Sequence, residues 1–398
     1  MDPSRLFAAL SQRPAATRVA DRWAAPFLWA VLLLAAGAAF AWQAIDPSRA
    51  VWVAVSVLIV TCPCALSLAA PSALLSAAGA LARRGVLLRN LDALETLAGV
   101  RHVVLDKTGT LTDTRPAWRG ADALTPQAQF DKEALLRAAA SLATWSTHPL
   151  ARTLAEVVPE TAADSARWSG VREEPGLGLE AFDAQGLRWR LGSARWLGIA
   201  NVDTPSLQAC FGPAGQPKLA LNFDEALRAD AAQAVQRLQA DGVRITLLSG
   251  DSAERVRRLA RRLGLAQAVG GASPERKLQR LRELQAQGQR VAMVGDGVND
   301  APVLAQADVS FAMGHGALVA RTHADAVILS GCLGAVVDAR RLAQRTLRVI
   351  HQNLAWAALY NLACVPLALA GALPPWAAGL GMALSSLLVV SNALRLSR

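Results

Sequence analysis

The chain has 398 residues, of which 53% are hydrophobic and 18% are charged, and its mean hydropathy is +0.27. It is too apolar for an ordinary soluble enzyme and too polar for a protein made only of membrane spans. The net charge of +10 comes almost wholly from arginines, which are scattered and often flank apolar stretches. The positive-inside rule explains this distribution. A nucleic-acid-binding protein would group its basic residues in a stripe, so the scattered arginines argue against that class of protein.

Apolar stretches predict four transmembrane α-helices. The second stretch is interrupted by Cys62-Pro63-Cys64, where proline removes a backbone donor and breaks the helix. Arginines next to the stretches place both chain ends in the cytoplasm, as an even number of spans requires. We therefore expect a multi-pass protein of a lipid bilayer, in a bacterial inner membrane, with cytoplasmic polar domains. Its parts are a cytosolic lead-in at 1–25, two helices within 26–82, two more within 346–394, and a cytosolic tail at 395–398.

The polar region between the spans predicts an α/β fold. Strand-like runs at Val103–Leu105, Ile245–Leu248 and Val291–Val294 alternate with helical patterns. This βαβ rhythm is typical of a doubly wound parallel sheet. The helical patterns are Asp230–Ala240, Ala253–Leu263 and Glu275–Gln285. The stretch 116–222 lacks the rhythm and is interpreted as an inserted α+β domain, so that the parallel domain consists of 83–115 and 223–345.

The heptapeptide Asp106-Lys107-Thr108-Gly109-Thr110-Leu111-Thr112 carries the most chemical information. Asp106 follows a buried strand, at the position where α/β folds place their chemistry. A carboxylate there can attack a phosphoryl group and form an aspartyl-phosphate.

Three further pieces follow the later strands and suit the same reaction. Ser249 and Asp251 follow one strand, where a hydroxyl and a backbone N–H can hold phosphoryl oxygens. Lys277 can neutralise the charge of a phosphoryl group in transfer. Asp296 and Asp300 follow another strand and suit Mg²⁺, which binds one or two carboxylates together with phosphate oxygens.

Three apolar spans carry unusual polar and sulfur-containing residues. Cys62 and Cys64 stand at a helix break, where two thiolates can bind a soft ion such as Cu(I). The alternative is a structural kink with two buried cysteines. The third span contains Asn353, Tyr360 and Asn361, and polar residues within spans are costly and usually functional. The fourth contains Met382-Ala383-Leu384-Ser385-Ser386.

These motifs resemble those of the heavy-metal P-type ATPases, copper subclass. The string from Asp106 to Thr112 resembles their phosphorylation motif, and Gly295-Asp296-Gly297-Val298-Asn299-Asp300 resembles their second core motif. The resemblance implies a haloacid-dehalogenase-like phosphorylation domain with an inserted nucleotide-binding domain, and ATP, Mg²⁺ and Cu(I) as ligands. The implied catalytic residues are Asp106, Lys107, Thr108, Ser249, Asp251 and Lys277. The implied ATP contacts are His148, Gly176, Gly178 and Asn299, and the implied Mg²⁺ ligands are Asp106, Thr108, Asp296 and Asp300.

The same resemblance favours Cu(I), or Ag(I), as the transported ion. Zinc and cadmium pumps tend to carry a lysine and an aspartate in their last two spans, and neither residue occurs in these spans here. The implied copper-coordinating positions are Cys62, Cys64, Tyr360, Asn361, Met382 and Ser386.

The string Thr-Gly-Glu, which marks the family's actuator domain, does not occur in these 398 residues. We therefore expect the catalytic and ion-binding half of a copper pump, lacking the N-terminal half, with a copper chaperone or a separate actuator-bearing chain as a partner. The alternatives are a non-pumping membrane-tethered phosphotransferase or phosphatase, a zinc- or cadmium-type pump, and a non-enzymatic copper-binding remnant. The membrane residues argue against the first alternative, and the intact aspartates argue against the last.

Overall fold

The structure is a computed structural model that describes residues 15–113, 115–158, 167–199, 207–224, 226–296, 300–316 and 318–397. The described chain divides into two compact units. The first unit comprises residues up to Asp106 together with Ala232–Asp251 and Leu259–Arg398, and the second comprises Lys107–Ala231 and Ser252–Arg258. Of the predicted segments, residues 1–14 of the cytosolic lead-in, Asn299 and the last residue of the tail lie outside the described residues.

The helices and strands follow one another in an alternating order along most of the chain. In chain order they are α1 (Ala15–Ile45), α2 (Pro47–Val60), α3 (Cys64–Arg83), β1 (Val86–Leu88), α4 (Asp92–Ala98), β2 (His102–Asp106), β3 (Ala117–Ala123), α5 (Pro126–Phe130), α6 (Lys132–Ala143), α7 (Pro149–Val157), β4 (Ser169–Glu174), β5 (Gly178–Phe182), β6 (Arg188–Gly192), β7 (Leu207–Pro213), β8 (Leu219–Asp224), α8 (Ala231–Ala240), β9 (Arg244–Leu248), α9 (Ala253–Arg262), β10 (Gln267–Val269), α10 (Pro274–Ala286), β11 (Val291–Gly295), α11 (Ala301–Gln306), β12 (Val309–Met313), α12 (Leu318–His323), β13 (Ala326–Ile328), α13 (Gly334–Leu369) and α14 (Pro375–Leu394).

The first unit contains a seven-stranded sheet in the order β1-β13-β12-β11-β2-β9-β10. All neighbouring strands are parallel except β1, which pairs antiparallel with β13 at one edge. The chain leaves β2 for β9 and β10 and then returns to β11 on the other side of β2. This reversal beside β2 is the topological switch point, where open parallel sheets bind ligands at the carboxyl ends of their strands.

Strand register brings the predicted motifs to one edge of this sheet. Asp106 pairs with Leu248, and Leu105 pairs with Val294, so β2, β9 and β11 end at the same level. The observed strands extend each predicted run by one residue at one or both ends. Helices α8, α9 and α10 correspond to the three predicted helical patterns, and each of their ends lies within one residue of the predicted end.

The second unit contains a six-stranded antiparallel sheet in the order β3-β8-β7-β6-β5-β4. Helices α6 and α7 pack on it over an apolar core that includes Trp168, Trp189 and Phe211. Trp189 stacks on Phe211 with ring centroids 5.0 Å apart, and Trp168 meets Trp189 edge to face at 5.9 Å. The sheet spans residues 117–224, and the insertion was predicted at residues 116–222.

The membrane-type helices belong to the first unit. Asp46 caps α2 by accepting a hydrogen bond from the Ser48 N–H at 3.1 Å, and Pro47 occupies the first helical position, where a missing N–H costs nothing. The break between α2 and α3 falls at Cys62-Pro63, as the proline predicts. Among the described residues, two segments are long and apolar enough to cross a membrane, Pro47–Arg83 and Pro375–Ser397, by length and composition only.

Candidate functional site

A buried cluster of charged side chains lies at the carboxyl edge of the parallel sheet. Lys277 Nζ donates to Asp106 Oδ1 at 2.5 Å and to Asp300 Oδ1 at 2.8 Å. These three side chains are each less than 10% exposed. Asp296 completes the cluster, because Asp106, Asp296 and Asp300 each offer an oxygen atom within 4.8 Å of the others.

Local structure explains why these side chains meet. Asp106 is the last residue of β2, and Asp300 directly precedes α11. Lys277 lies in the first turn of α10, whose start is fixed by Pro274 and by the Ser273 hydroxyl, which accepts a hydrogen bond from the Arg276 N–H at 3.3 Å. The lysine and the two carboxylates come from positions far apart in the chain and are united by the strand order.

The electrostatics of the cluster are dominated by burial. The pKa of Asp106 is raised to about 7, chiefly by burial and then by the neighbouring Asp300, while Lys277 opposes both effects. Burial also opposes the charge of Lys277, but the carboxylates of Asp106 and Asp300 outweigh it and raise the pKa of the lysine. Three carboxylates surround one ammonium group, so the cluster has an excess of negative charge that a further cation would balance.

The donor set of this cluster fits Mg²⁺. Hard oxygen ligands from one or two carboxylates, completed by phosphate oxygens and water, are what this ion prefers. Asp106 and Asp296 supply such oxygens within the 4.8 Å cluster. The predicted backbone ligand, Thr108, lies two residues after Asp106 with an exposed side chain.

The other predicted catalytic residues flank the same strands. The Ser249 hydroxyl, which is 2% exposed, accepts a hydrogen bond from the Asp251 N–H at 3.2 Å in the turn after β9. Lys107 is fully buried, as the first residue of the loop Lys107–Leu111. Within that loop Gly109 has φ +68°, a left-handed conformation that favours glycine.

Arg228 holds this loop and was not predicted from the sequence. Its Nε donates to the Thr110 carbonyl at 2.8 Å, and its second guanidinium nitrogen donates to the Gly109 carbonyl at 2.6 Å. A main-chain bond from Arg228 to the Leu111 carbonyl, at 3.0 Å, adds a third anchor. No motif marks Arg228, because its contacts join residues more than 100 positions apart.

The second unit contains a cavity of about 540 Å³, within the usual size range of ligand pockets. The predicted residues His148, Gly176 and Gly178 all line it. His148 is exposed, and its Nδ1 accepts a hydrogen bond from the Leu150 N–H at 3.3 Å, so that the side chain also caps α7. The further polar lining consists of Ser146, Glu173, Glu174, Ser193 and Gln208.

Two facing glycines form the floor of this cavity. Gly178 and Gly192 are paired across β5 and β6. A Cβ atom on Gly178 would lie 2.2 Å from the Leu191 carbonyl oxygen, and one on Gly192 would lie 2.1 Å from the Leu177 carbonyl oxygen. Gly192 is therefore a site residue that the spacing of Gly176 and Gly178 alone could not indicate.

A small cavity of about 10 Å³ lies among the membrane-type helices. Four of the six predicted copper positions line it, namely Cys62, Tyr360, Asn361 and Met382. The remaining lining residues are Pro63, Ala65, Leu66, Ala357 and Ser385. Cys64 and Ser386, the other two predicted positions, are not among them.

The two cysteines at the helix break are joined in a disulfide, whereas two thiolates were predicted. Their Cα atoms lie 5.5 Å apart, within the range that a disulfide spans. The thiolate pair is the reduced form of this bridge.

Comparisons with known proteins agree with this arrangement. Residues 100–308 match the family model of the haloacid dehalogenase-like hydrolases. The nitrogen fixation protein FixI of Rhizobium leguminosarum is 40% identical over 96% of this chain and 49% of its own length. A copper-exporting P-type ATPase of Mycobacterium tuberculosis is 36% identical over 98% of this chain and 52% of its own length. The chain thus spans about half the length of the curated relatives it matches.

Solved structures show the same similarity. A zinc-transporting PIB-type ATPase in an E2·Pi state matches with a TM-score of 0.78 and 30% identity, over 98% of this chain and 66% of that one. The catalytic domain of the CPx-ATPase CopB-B matches with a TM-score of 0.54 and 26% identity, over 65% of this chain and 97% of that domain.

Proposed function

Because the chain belongs to the haloacid dehalogenase-like hydrolase family, and within it to the heavy-metal P-type ATPases, we propose that it forms an aspartyl-phosphate at Asp106 from ATP and couples this step to Cu(I) transport. The observation that carries the proposal is the buried cluster in which Lys277 contacts both Asp106 and Asp300. An unreactive structural ion pair does not need a third carboxylate, and Asp296 supplies one.

The chemistry follows from the geometry of the cluster. A carboxylate oxygen of Asp106 attacks the γ-phosphorus of ATP, a new O–P bond forms, and the bond to the bridging oxygen breaks as ADP leaves with the electron pair. Lys277 neutralises charge on the transferred group, and the Ser249 hydroxyl binds a phosphoryl oxygen. Mg²⁺ would be held by Asp106, Asp296 and the Thr108 carbonyl, and it would shield the repulsion between the two anions. Asp300, which accepts a hydrogen bond from Lys277, would order the site together with Asn299, as the family resemblance implies.

We assign ATP binding to the cavity of the second unit. Its volume of about 540 Å³ accommodates a nucleotide, and Gly178 and Gly192 let β5 and β6 approach each other beside it more closely than side chains would allow. The ordered Ser146 hydroxyl donates to Glu173 at 2.6 Å and accepts from the His148 N–H at 3.0 Å. This network supports the adenine contact assigned to His148.

The membrane cavity supports a soft monovalent cargo. Cys62 and Met382 supply sulfur, and Tyr360 and Asn361 supply oxygen. Soft sulfur ligands select Cu(I), and the bridge between Cys62 and Cys64 must be reduced for both thiolates to bind. A zinc cargo is the second candidate, because one matching structure is a zinc transporter. The absence of Lys and Asp from residues 350–371 and 375–394 favours copper.

We propose four transmembrane helices, formed by α1, the broken pair α2 and α3, α13 and α14. Large apolar side chains are exposed on these helices, as lipid-facing residues are. Examples are Phe40 at 84%, Leu75 at 62%, Leu362 at 73% and Leu387 at 62% exposure. The positive-inside rule places the two sheet-containing regions in the cytoplasm, and a bacterial inner membrane is the proposed location.

Phosphorylation with labelled ATP and Mg²⁺ tests the catalytic assignment. The wild-type chain is expected to incorporate acid-stable label, and Asp106→Asn, which keeps the side-chain shape, is expected to incorporate none. Equal label on both proteins would refute the assignment. Cu(I) under reducing conditions should stimulate labelling more than Zn²⁺ does, and the reverse order would favour the zinc-type alternative.

The lifetime of the label tests a second point. Because these 398 residues contain no Thr-Gly-Glu string, the polypeptide tested alone is expected to lose its label slowly. Addition of an actuator-bearing chain is expected to accelerate the loss, and a copper chaperone is the proposed source of the ion. Rapid steady-state turnover by the polypeptide alone would contradict this expectation.

A further inference from the structure

One basic residue lies at the end of the membrane-type helices that faces away from the cytoplasm in the proposed topology. Arg49 is in the first turn of α2, directly after the turn at Asp46. Within residues 31–60 and 360–390 these two residues are the only charged ones. The arginines that orient the helices lie at their other end, so the positive-inside rule does not account for Arg49.

The guanidinium group of Arg49 lies over two indole rings. Its Cζ atom is 5.8 Å from the ring centroid of Trp42 on α1 and 5.8 Å from that of Trp52 on α2. Both distances are short enough for a cation–π interaction. Such an interaction uses the charge of the guanidinium but none of its five N–H donors. The rings therefore orient the side chain without satisfying its hydrogen-bonding capacity.

The N–H donors of Arg49 are directed outward from the protein. The side chain is exposed, and in the described part of the chain its guanidinium forms no hydrogen bond or ion pair. The nearest carboxylate in the sequence, Asp46, instead accepts from the N–H and the hydroxyl of Ser48, at 3.1 and 2.6 Å. A planar guanidinium with free donors suits a bidentate contact with a phosphate or carboxylate group.

The surroundings of Arg49 indicate where that anion comes from. Phe40, Ile45 and Val51 are 84%, 71% and 74% exposed, as side chains that contact acyl chains are. Tryptophans such as Trp42 and Trp52 are typical of the head-group level of a bilayer. The anions present at that level are the phosphodiester groups of phospholipids.

Two contacts with the end of α13 hold Trp42 in place. Its Nε1 donates to the carbonyl of Leu369, the last residue of that helix, at 2.9 Å. A Cβ atom on Gly371 would lie 2.6 Å from the ring, so only glycine allows this approach. Because the ring is already ordered, a ligand of Arg49 loses little affinity to the ordering of side chains.

We propose that Arg49, Trp42 and Trp52 form a binding site for the phosphate of an anionic phospholipid at the non-cytoplasmic surface of the membrane. The proposal rests on the proposed function, since it needs the topology of four transmembrane helices. The guanidinium donates to phosphate oxygens, and the exposed apolar side chains beside it contact the acyl chains. An anionic lipid is favoured because a zwitterionic head group carries an ammonium group that competes for the phosphate.

Native mass spectrometry of the full chain, titrated with phosphatidylglycerol in detergent, tests the site. Arg49→Gln is expected to weaken the tightest lipid site about tenfold, the effect of one lost charge-assisted contact. Arg49→Lys keeps the charge without the fork and should lose less. The matched control is Arg348→Gln, which removes an exposed arginine near the cytoplasmic end of α13 and should change the affinity less than about twofold. Equal losses in Arg49→Gln and Arg348→Gln would overturn the proposal.

A photoactivatable phosphatidylglycerol locates the lipid. Cross-links are expected within residues 38–56 of the wild-type chain and should be lost in Arg49→Gln. Cross-links confined to other segments would overturn the site. Trp52→Leu, which removes one ring and keeps an apolar side chain, should weaken binding about threefold. The double variant with Arg49→Gln should be no weaker than Arg49→Gln alone, because the ring acts through the guanidinium. Additive losses would overturn the role of the ring.

Two further ligands distinguish the sources of phosphate. Phosphatidylcholine is expected to bind more weakly than phosphatidylglycerol, and equal binding would overturn the preference for an anionic lipid. Inorganic phosphate in large excess should not displace the lipid, since it makes no acyl-chain contacts. Displacement would overturn the lipid in favour of a soluble anion.

Labelling of Asp106 in the same preparations separates this site from the proposed function. Arg49→Gln should incorporate label like the wild-type chain, which also reports that the variant is folded. Lipid binding at Arg49 by a wild-type chain that incorporates no label would overturn the proposed catalytic step and support the lipid site. Normal labelling without a lipid at Arg49 would do the reverse.

Discussion

Replacement of Gly178 by alanine should distort the cavity of the second unit, to which we assign ATP binding. The added Cβ would lie 2.2 Å from the Leu191 carbonyl oxygen and 2.5 Å from the Gly192 Cα. An ordinary contact at a Cβ is 3.4 Å or longer, so β5 and β6 would have to separate by more than 1 Å at this pair. Backbone is on both sides of the clash, and no flexible side chain can move away instead.

The expected cost has two parts. Gly178 has φ +139°, so any side chain is strained there, at a cost of about 1–2 kcal/mol. Forcing atoms into a packed region costs about 1–3 kcal/mol more. Gly176→Ala is the matched control, because Gly176 also lines the cavity at φ +78° but has nothing within 4 Å of the added Cβ. Gly176→Ala therefore introduces the strain of a side chain at positive φ without the clash between strands.

Binding of a fluorescent ATP analogue to the full chain measures the difference. The clash moves the cavity floor, so Gly178→Ala should bind the nucleotide at least about tenfold more weakly than Gly176→Ala, or about 1.4 kcal/mol. Gly186→Ala, with φ +76° in the open turn between β5 and β6, should bind like wild type. Equal affinities for the Gly178 and Gly176 variants would refute the reasoning that close strand approach shapes this cavity.

Three further predictions concern the parallel-sheet unit and the loop that follows β2. Lys277→Met should abolish labelling of Asp106, and it should destabilise the chain by about 3–5 kcal/mol in thermal unfolding, because it leaves buried carboxylates without their cation. Arg228→Ala should lower the rate of labelling about tenfold in rapid-quench assays while Arg228→Lys lowers it less, since it removes the donors to the loop carbonyls. Burial lowers the pKa of His102, so the unfolded chain binds more protons below pH ~6.5, and the free energy of unfolding should fall as pH falls through that range. In His102→Gln this part of the pH dependence should disappear.

Local patterns explain why the parallel sheet could be predicted from the sequence. Buried parallel strands are nearly continuous apolar runs, and the motifs that follow them identify their carboxyl ends. Each run is short and is bounded by polar residues, which limited the error to one residue at either end. The meeting of Lys277 with Asp106, 171 positions away, was predicted from their complementary chemistry and from the family resemblance, since spacing along the chain does not encode strand order.

The antiparallel unit shows the opposite case. Gly192 contributes through the pairing of β5 with β6, and Arg228 contributes through contacts with residues more than 100 positions earlier in the chain. Local sequence spacing predicts neither contact. Glu173 contributes for the same reason, since its partner Ser146 lies in another element. Residues such as Gly176 were found because a short glycine motif is itself a local signal.

One helix connects the two sites of the first unit. Arg340 Nε, near the start of α13, donates to the Val100 carbonyl at 3.0 Å, two residues before β2, the strand that ends in Asp106. Arg341 adds a bidentate ion pair to Asp241 with both distances at 2.8 Å. From Arg340 to Tyr360, α13 is unbroken over about 30 Å. Because Pro366 lies beyond Tyr360, α13 keeps its hydrogen bonds over this distance and forms one continuous element between the sheet and the membrane cavity.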